Sequence, residues 1–203
     1  MPFDLSLYLV TDATLCQRYG LERTVSEAVR GGVSMVQLRD KQASDAQMID
    51  QARRLKALLV GSGVPLIIND RLEVALASQA DGLHVGQSDT AVHQARAAMG
   101  PQAILGLSIN SVEQLHDAPT DQLDYVGIGP IFATPSKQDH AQPIGFGGLA
   151  SLIKHCPLPS VAIGGLNASH VSAIQRAGAD GLAVISAICG QPDPEAAARA
   201  FKR

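Results

Sequence analysis

The stretch Ala-Asp-Gly-Leu at residues 80–83 recurs at residues 179–182, 99 residues further along a chain of 203. Each copy opens a short apolar run of the kind that forms a buried parallel strand. If the copies open the fourth and the eighth strand, one strand and its helix take about 25 residues, and eight such units fill the chain. The repeat therefore predicts eight strand–helix units.

The apolar runs agree with that count, because eight of them alternate with amphipathic stretches. The predicted strands are Leu5–Val10, Val33–Leu38, Pro65–Ile68, Gly82–Val85, Ala103–Leu107, Tyr125–Ile128, Ser160–Ile163 and Gly181–Ile185. The clearest helix spans roughly 44–60, where Ser44 and Gln47 form a capping box. Ser111 with Gln114 repeats that signature, and Asn167 is a further predicted N-cap. We predict an α/β fold, a single (β/α)8 TIM barrel in one domain over residues 1–203; an open doubly wound sheet is the weaker alternative, since no G-x-G-x-x-G follows the first strand.

Composition excludes several classes of protein. The chain is 46% hydrophobic and 17% charged, with a net charge of −3, so it lacks the basic excess that nucleic-acid binding needs. No apolar run is long enough to span a bilayer. The three cysteines form no C-x-x-C pair, which argues against a zinc site or a disulfide framework and favours the cytoplasm. We expect small-molecule substrates, no nucleic acid and no membrane, with a homo-oligomer left open.

Polar residues follow every predicted strand, at the end where such barrels carry their active sites. Gln37, Arg39 and Lys41 alternate along the second strand and its loop, so they share one side. The other polar or glycine positions after the strands are Thr11, Asp12, Asn69, Asp70, Arg71, His84, Gln87, Asp89, Ser108, Asn110, Thr134, Ser136, Lys137, Gly164, Gly165 and Ser186. Eight strand ends of this kind predict a lined pocket.

Two carboxylates in this ring, Asp70 and Asp89, suit Mg²⁺, which needs few protein ligands and often bridges to phosphate. The alternative is that each caps the helix that follows it. Arg39, Lys41 and Lys137 predict a polyanion held between metal and cations, although a solvated surface charge is the usual role of a lysine.

Gly164-Gly165 and Ile185-Ser186 predict a second anion site. Glycine lets a phosphate approach backbone N–H groups, and the loops after the seventh and eighth strands of such barrels often serve this purpose. The alternative is a tight turn that needs glycine for its dihedral angles.

The chain resembles the thiamine-phosphate synthase family, also called thiamine-phosphate pyrophosphorylases. The resemblance runs through nearly the whole chain, and it is the combination of motifs that is specific. The matching stretches are residues 9–12 (LVTD), 37–41 (QLRDK), 69–71 (NDR), 84–89 (HVGQSD), 129–137 (GPIFATPSK) and 162–166 (AIGGL).

The resemblance implies a transferase of thiamine biosynthesis. Such an enzyme joins 4-amino-2-methyl-5-hydroxymethylpyrimidine diphosphate to 4-methyl-5-(2-hydroxyethyl)thiazole phosphate, or its carboxylated form, and releases thiamine phosphate and pyrophosphate. The roles implied are catalysis by Arg39, Lys41, Ser108 and Lys137; pyrimidine diphosphate binding by these four with Gln37 and Asn69; thiazole phosphate binding by Thr134, Ser136, Gly165, Ile185 and Ser186; and Mg²⁺ binding by Asp70 and Asp89. Ser136 stands where the family has threonine, which keeps the hydroxyl and loses a methyl group.

The expected mechanism is a Mg²⁺-assisted dissociative displacement without a covalent enzyme intermediate. A thiazole tautomerase of the same fold is one alternative, but that isomerase resembles the synthase without its diphosphate-handling residues. A non-catalytic phosphate-binding regulatory barrel is another. His84 is either a general base or a hydrogen-bonded histidine at a strand end.

Overall fold

Eight parallel strands form a closed barrel in the computed structural model, which describes residues 3–87, 92–134 and 142–202. Strands pair in sequence order, and β1 closes the ring against β8. The strands are β1 Leu7–Val10, β2 Met35–Leu38, β3 Leu66–Asn69, β4 Gly82–Val85, β5 Ile104–Ile109, β6 Tyr125–Ile128, β7 Ser160–Ala162 and β8 Gly181–Val184. All eight predicted strands are confirmed, and the (β/α)8 barrel with them.

Helices follow the strands and cover the barrel. They are α1 Ala13–Cys16, α2 Leu21–Gly31, α3 Asp45–Leu59, α4 Leu72–Ser78, α5 Val92–Met99, α6 Val112–Asp117, α7 Gly145–Ile153, a 3₁₀ turn Ala168–His170 continued by α8 Val171–Ala177, and α9 Pro194–Arg199. Among the described residues, no helix is long and apolar enough to cross a membrane.

The predicted N-caps hold with one change of detail. Ser44 and Gln47 form the reciprocal capping box of α3. Ser111 caps α6 by accepting from the N–H of Gln114, but the Gln114 side chain accepts from Asn110 N–H, not from Ser111. Asn167 caps the 3₁₀ turn before α8. At these three positions local capping rules locate the helix start, because the hydrogen bonds involved span only a few residues.

Each aspartate of the repeated Asp-Gly pair makes two hydrogen bonds to the preceding strand at the amino end of the barrel. Asp81 accepts from Leu66 N–H at 2.8 Å through its carboxylate and donates its own N–H to Leu66 C=O at 2.9 Å. Asp180 makes the same two bonds with Ser160, at 2.8 and 2.9 Å. Each aspartate thus ties the strand that it precedes to the start of the previous one, and we call this double contact a strand-start clamp.

Two further strand-start clamps complete a set of four. Asp124 makes both contacts with Leu105, and Ser34 makes them with Leu7 through its hydroxyl. The four clamps stand before β2, β4, β6 and β8, so the barrel is fastened in pairs of strands. The sequence repeat exposed two of them; the other two carry no matching Asp-Gly pair.

The glycine after each repeated aspartate is required by the closeness of the next strand. A Cβ on Gly82 would lie 2.1 Å from Ile104 C=O, and one on Gly181 would lie 1.8 Å from Leu5 C=O. Real Cβ atoms do not approach carbonyl oxygens so closely, so neither position accepts a side chain. In each repeat, the aspartate is hydrogen-bonded to one neighbouring strand, and the absence of a side chain on the glycine lets the other neighbouring strand pack closely.

Two layers of apolar side chains stabilise the barrel. The larger layer lies between the strands and the helices and includes Leu9, Val36, Ile68 and Leu105. The smaller one fills the barrel interior, with Leu5, Tyr8, Met35, Ile67, Tyr125, Val161 and Ala183. Because Tyr8, Val161 and Ala183 also line a cavity above them, this inner layer forms its floor.

Candidate active site

A cavity of about 390 Å³ opens at the carboxyl ends of the strands. It is lined by every described residue among the predicted site residues, and these come from strands on all sides of the barrel. They are Gln37, Arg39, Lys41, Asn69, Asp70, Ser108, Thr134, Gly165, Ile185 and Ser186. Asp89, Ser136 and Lys137 lie outside the described residues, so their placement stays a prediction.

Two cations line the cavity beside β2. The Arg39 side chain is only 12% exposed, and its Nη1 lies 3.9 Å from Asp12 Oδ2. Thr11 Oγ1 accepts from Arg39 N–H at 3.0 Å, so the residues after β1 position this arginine. Lys41 is exposed at the cavity rim. Arg39 is therefore an oriented, mostly buried cation, whereas Lys41 is exposed.

Arg71 holds the loop that carries these cations. Its guanidinium donates to Ala43 C=O at 2.7 Å, to Asp45 Oδ1 at 3.0 Å and to Asp40 C=O at 3.2 Å. Arg71 therefore acts on the β2 loop from the end of β3. Sequence reasoning grouped it with the pocket residues, but its described contacts are with the loop backbone and Asp45.

Asp70 adopts an unusual backbone conformation. Its φ is 61°, a left-handed value that costs a non-glycine residue on the order of 1 kcal/mol. Asn69 Nδ2 donates to Asp70 Oδ2 at 2.7 Å, and Asp70 N–H donates to His84 C=O at 2.9 Å. The residue at the N-cap of α4 is Arg71, which makes no side-chain capping bond. The alternative role of Asp70 as a helix cap is thus wrong, and its carboxylate lines the cavity instead.

The opposite wall includes two glycines with a left-handed backbone. Gly164 and Gly165 have φ values of 91° and 67°, and a Cβ on Gly165 would lie 2.7 Å from Phe132 Cβ. The tight-turn interpretation of the double glycine is therefore confirmed, and the turn also borders the cavity; the anion site stays a prediction. A substitution at Gly165 would displace the loop after β6 as well as the cavity wall. Ser186 lies on the same wall after β8, and its C=O accepts from Gln191 Nε2 at 2.9 Å.

A continuous hydrogen-bond chain crosses the cavity floor. Gln37 Nε2 donates to Tyr8 Oη at 2.7 Å, and Tyr8 Oη lies 2.9 Å from Tyr125 Oη. His84 then connects Tyr125 to Ser108, with 2.9 Å from Nδ1 to Tyr125 Oη and 2.9 Å from Nε2 to Ser108 Oγ. We call these five residues the interior chain. Both ring nitrogens of His84 are engaged, which supports the hydrogen-bonded histidine over a general base.

Sequence reasoning missed Tyr8 and Tyr125 as parts of the site. Each phenol sits in an otherwise aliphatic strand, and that was the available signal, because a buried tyrosine hydroxyl needs a partner. Burial raises the pKa of Tyr8 and of Tyr125 well above the ordinary value for tyrosine. Both phenols therefore stay protonated and neutral, and the interior chain carries no tyrosinate.

The fold and the cavity define a class of protein: a (β/α)8 barrel whose pocket, at the carboxyl ends of the strands, sets cations and a carboxylate against a glycine-rich wall. Its family follows from comparison with known proteins. The family model described as thiamine monophosphate synthase matches residues 7–188, and the chain belongs to this family of transferases.

Individual relatives are similar to this chain over nearly its full length. Thiamine-phosphate synthase of Azorhizobium caulinodans is 52% identical over 201 residues, covering 99% of this chain and 95% of the relative. Thiamine-phosphate synthase of a Psychrobacter species is 52% identical over 197 residues, covering 96% and 92%. The solved structure of thiamine phosphate pyrophosphorylase from Pyrococcus furiosus aligns with a TM-score of 0.88 at 32% identity, covering 99% and 95%.

Proposed function

We propose that this chain condenses 4-amino-2-methyl-5-hydroxymethylpyrimidine diphosphate with 4-methyl-5-(2-hydroxyethyl)thiazole phosphate, or its carboxylated form, to give thiamine phosphate and pyrophosphate. The observation that carries the proposal is the pairing of two different walls in one cavity, in a chain of this family. A wall of cations and a carboxylate suits a diphosphate, and a wall of glycine backbone suits a single phosphate.

The diphosphate is assigned to the wall formed by β2 and β3. Arg39 offers a planar, multiply donating guanidinium, Lys41 adds charge at the rim, and Asn69 lines the same cavity with its amide bonded to Asp70. Thr134, Gly165, Ile185 and Ser186 on the other side are assigned to the thiazole phosphate, with Ser136 completing that set. The two substrates then meet over the cavity floor.

Mg²⁺ fits the carboxylate side of this cavity. Asp70 presents a carboxylate to the cavity in a strained backbone conformation, and no group of three or more histidine, cysteine or acidic residues clusters into a metal site in the described ranges. A small number of protein oxygens suits Mg²⁺, which keeps waters and phosphate oxygens in its shell. We assign Asp70 and Asp89 as its ligands. When bound, Mg²⁺ neutralises negative charge on the diphosphate.

The chain's own residues then favour departure of the pyrophosphate. Arg39 and Lys137 stabilise the negative charge that grows on the leaving group, which is where electrostatic contacts lower a barrier, and Lys41 attracts the diphosphate to the cavity rim. The aminopyrimidine delocalises the positive charge left on its methylene carbon, and the thiazole nitrogen attacks that carbon. The protein supplies position and charge, with no covalent enzyme intermediate.

The test is to incubate the purified protein with both substrates and Mg²⁺ and to measure pyrophosphate and thiamine phosphate. We expect equal amounts of the two products, loss of both in EDTA, and recovery on addition of Mg²⁺. Rearrangement of a thiazole substrate without pyrophosphate release would establish the tautomerase, and phosphate binding without turnover would establish the regulatory barrel. We place the reaction in the cytoplasm, in keeping with three free cysteines and two phosphorylated substrates.

A further inference from the structure

The hydrogen bonds of the interior chain can run in only two directions, each residue donating to the next or each accepting from it. Each hydroxyl carries one proton, so when one ring nitrogen of His84 donates and the other accepts, every link runs either from Gln37 toward Ser108 or in reverse. No link can be turned alone without setting two protons or two lone pairs against each other. The group at one end therefore decides the direction of all the links.

Gln37 is the end that decides. Its amide nitrogen faces Tyr8, so Tyr8 Oη accepts that bond and its own proton is left for Tyr125. No other acceptor for the Tyr8 proton lies within hydrogen-bonding distance in the described part of the chain. With that polarity, Tyr125 would donate to His84 Nδ1, and a ring proton on Nε2 would go to Ser108 Oγ; the two distances, each 2.9 Å, accommodate this direction.

We propose that Tyr8, Tyr125 and His84 are positioning residues that hold Ser108 as a fixed hydrogen-bond donor toward the pyrimidine diphosphate, with the direction set by the Gln37 amide. The proposal rests on the proposed function for the identity of the substrate. Ser108 Oγ already accepts from His84, so its own proton is free to point at an acceptor in the cavity that it lines. The reverse polarity would turn a lone pair of Ser108 toward an anion.

The surroundings keep this arrangement in place. Four members of the interior chain are buried, with Tyr125 and Tyr8 at 0% and 1% exposure and Gln37 at 4%, and Ser108 is half-buried at the cavity end. Gly106 leaves room for the phenol, since a Cβ there would lie 2.2 Å from Tyr125 Cζ. Gln87 Nε2 donates to Ser108 C=O at 2.7 Å and fixes the backbone of the last member. In such a site water cannot readily substitute for a missing donor.

The direct test is the protonation of His84, read by ¹⁵N NMR without any substrate. In the unmodified protein we expect a neutral ring protonated at Nε2, with Nδ1 as the acceptor; the signals are assigned by their loss in His84→Gln. A ring protonated at Nδ1, or an imidazolium, overturns the inference. Because no substrate is present, this result is independent of whether the proposed reaction occurs.

Gln37→Glu tests whether the far end sets the direction. At a pH where the ¹³C shift of the introduced carboxyl shows it to be ionised, the side chain can only accept from Tyr8. All links should then reverse, and the His84 proton should move from Nε2 to Nδ1. Tyr19→Phe removes the one tyrosine hydroxyl outside the interior chain and should leave the His84 signals unchanged. An unchanged His84 in Gln37→Glu contradicts the proposal.

A double-mutant cycle tests whether Tyr125 acts through Ser108. Tyr125→Phe should lower kcat about tenfold, as expected for one hydrogen bond, and leave the KM for the thiazole phosphate unchanged. In a Ser108→Ala background, the same change should have no further effect on kcat. Independent effects of the two substitutions would mean that Tyr125 serves packing alone and would overturn its positioning role.

Discussion

The left-handed backbone of Asp70 separates the requirements of stability from those of activity. A carboxylate held at φ 61° gains nothing for folding that asparagine could not supply, because asparagine tolerates this conformation at least as well. An aspartate at this position is therefore explained by its negative charge at the cavity and not by a contribution to folding. Strain of this kind is found where the surrounding structure holds a residue in place for chemistry.

We predict that Asp70→Asn leaves the free energy of unfolding within about 0.5 kcal/mol of the original, as for a substitution that breaks no packing. Pyrophosphate release should fall by about a hundredfold or more, since removal of a charge-stabilising group at a reaction centre typically costs this much. Urea unfolding and a pyrophosphate assay check the two parts. A large loss of stability with full activity would restore a structural role for this side chain.

Arg39 and Lys41 differ in exposure, and their substitutions should differ in kind. Arg39→Ala should lower kcat by about a hundredfold at both low and high salt, because its side chain is mostly buried and oriented. Lys41→Ala should chiefly raise the KM for the pyrimidine diphosphate, and the effect should shrink as salt is added. Steady-state kinetics at two ionic strengths separate these outcomes, and identical behaviour of the two variants would contradict the assignment.

At the scale of elements, the strand-start clamps hold the barrel at the end away from the cavity. The N–H of Ser160 is bonded by the Asp180 carboxylate, and Ser160 is buried at 2% exposure. A buried N–H that loses its acceptor costs about 1–3 kcal/mol. Clamp residues should therefore affect folding and leave catalysis alone.

Asp180→Ala should lower the free energy of unfolding by about 1–3 kcal/mol, with kcat unchanged at a temperature where the variant is folded. Asp180→Asn keeps an oxygen acceptor for Ser160 and should cost less. Asp121→Ala, at an exposed position outside the clamps, serves as the matched control and should change stability by less than about 0.5 kcal/mol. A fall in kcat with stability intact would show that the two ends of the barrel are coupled.

Elements were more predictable than the contacts between them. Strands and helix caps follow from residues a few positions apart, so Ser44, Ser111 and Asn167 were found from sequence. The capping role of Asp70 failed because the tight turn after β3 places Arg71 at the N-cap. That turn depends on contacts with β4, and local spacing does not contain them.

For the whole molecule, the count of strand–helix units was enough to predict closure, and closure was enough to predict which end carries the site. The interior chain was not predictable in this way. Tyr8 and Tyr125 are 117 positions apart and meet only because the ring of strands turns both inward. Asp89, Ser136 and Lys137 remain predictions from sequence and resemblance.

Because the four clamps join the strands in pairs, we expect that the chain can be cut between pairs into two fragments that assemble into the barrel. A break between Gly100 and Pro101 leaves Ser34 and Asp81 with their partners in one fragment, and Asp124 and Asp180 with theirs in the other. We expect the two fragments, produced in the same cell, to co-purify and to release pyrophosphate together, while neither does so alone.

A break between Thr120 and Asp121 is the matched control, because it parts Asp124 from Leu105. Those fragments should recover less activity, and equal recovery from both breaks would mean that the clamps do not determine where the chain can be cut. The repeat at residues 80–83 and 179–182 thus lies near the end of each half of the barrel. The cavity would form only while the two halves are joined.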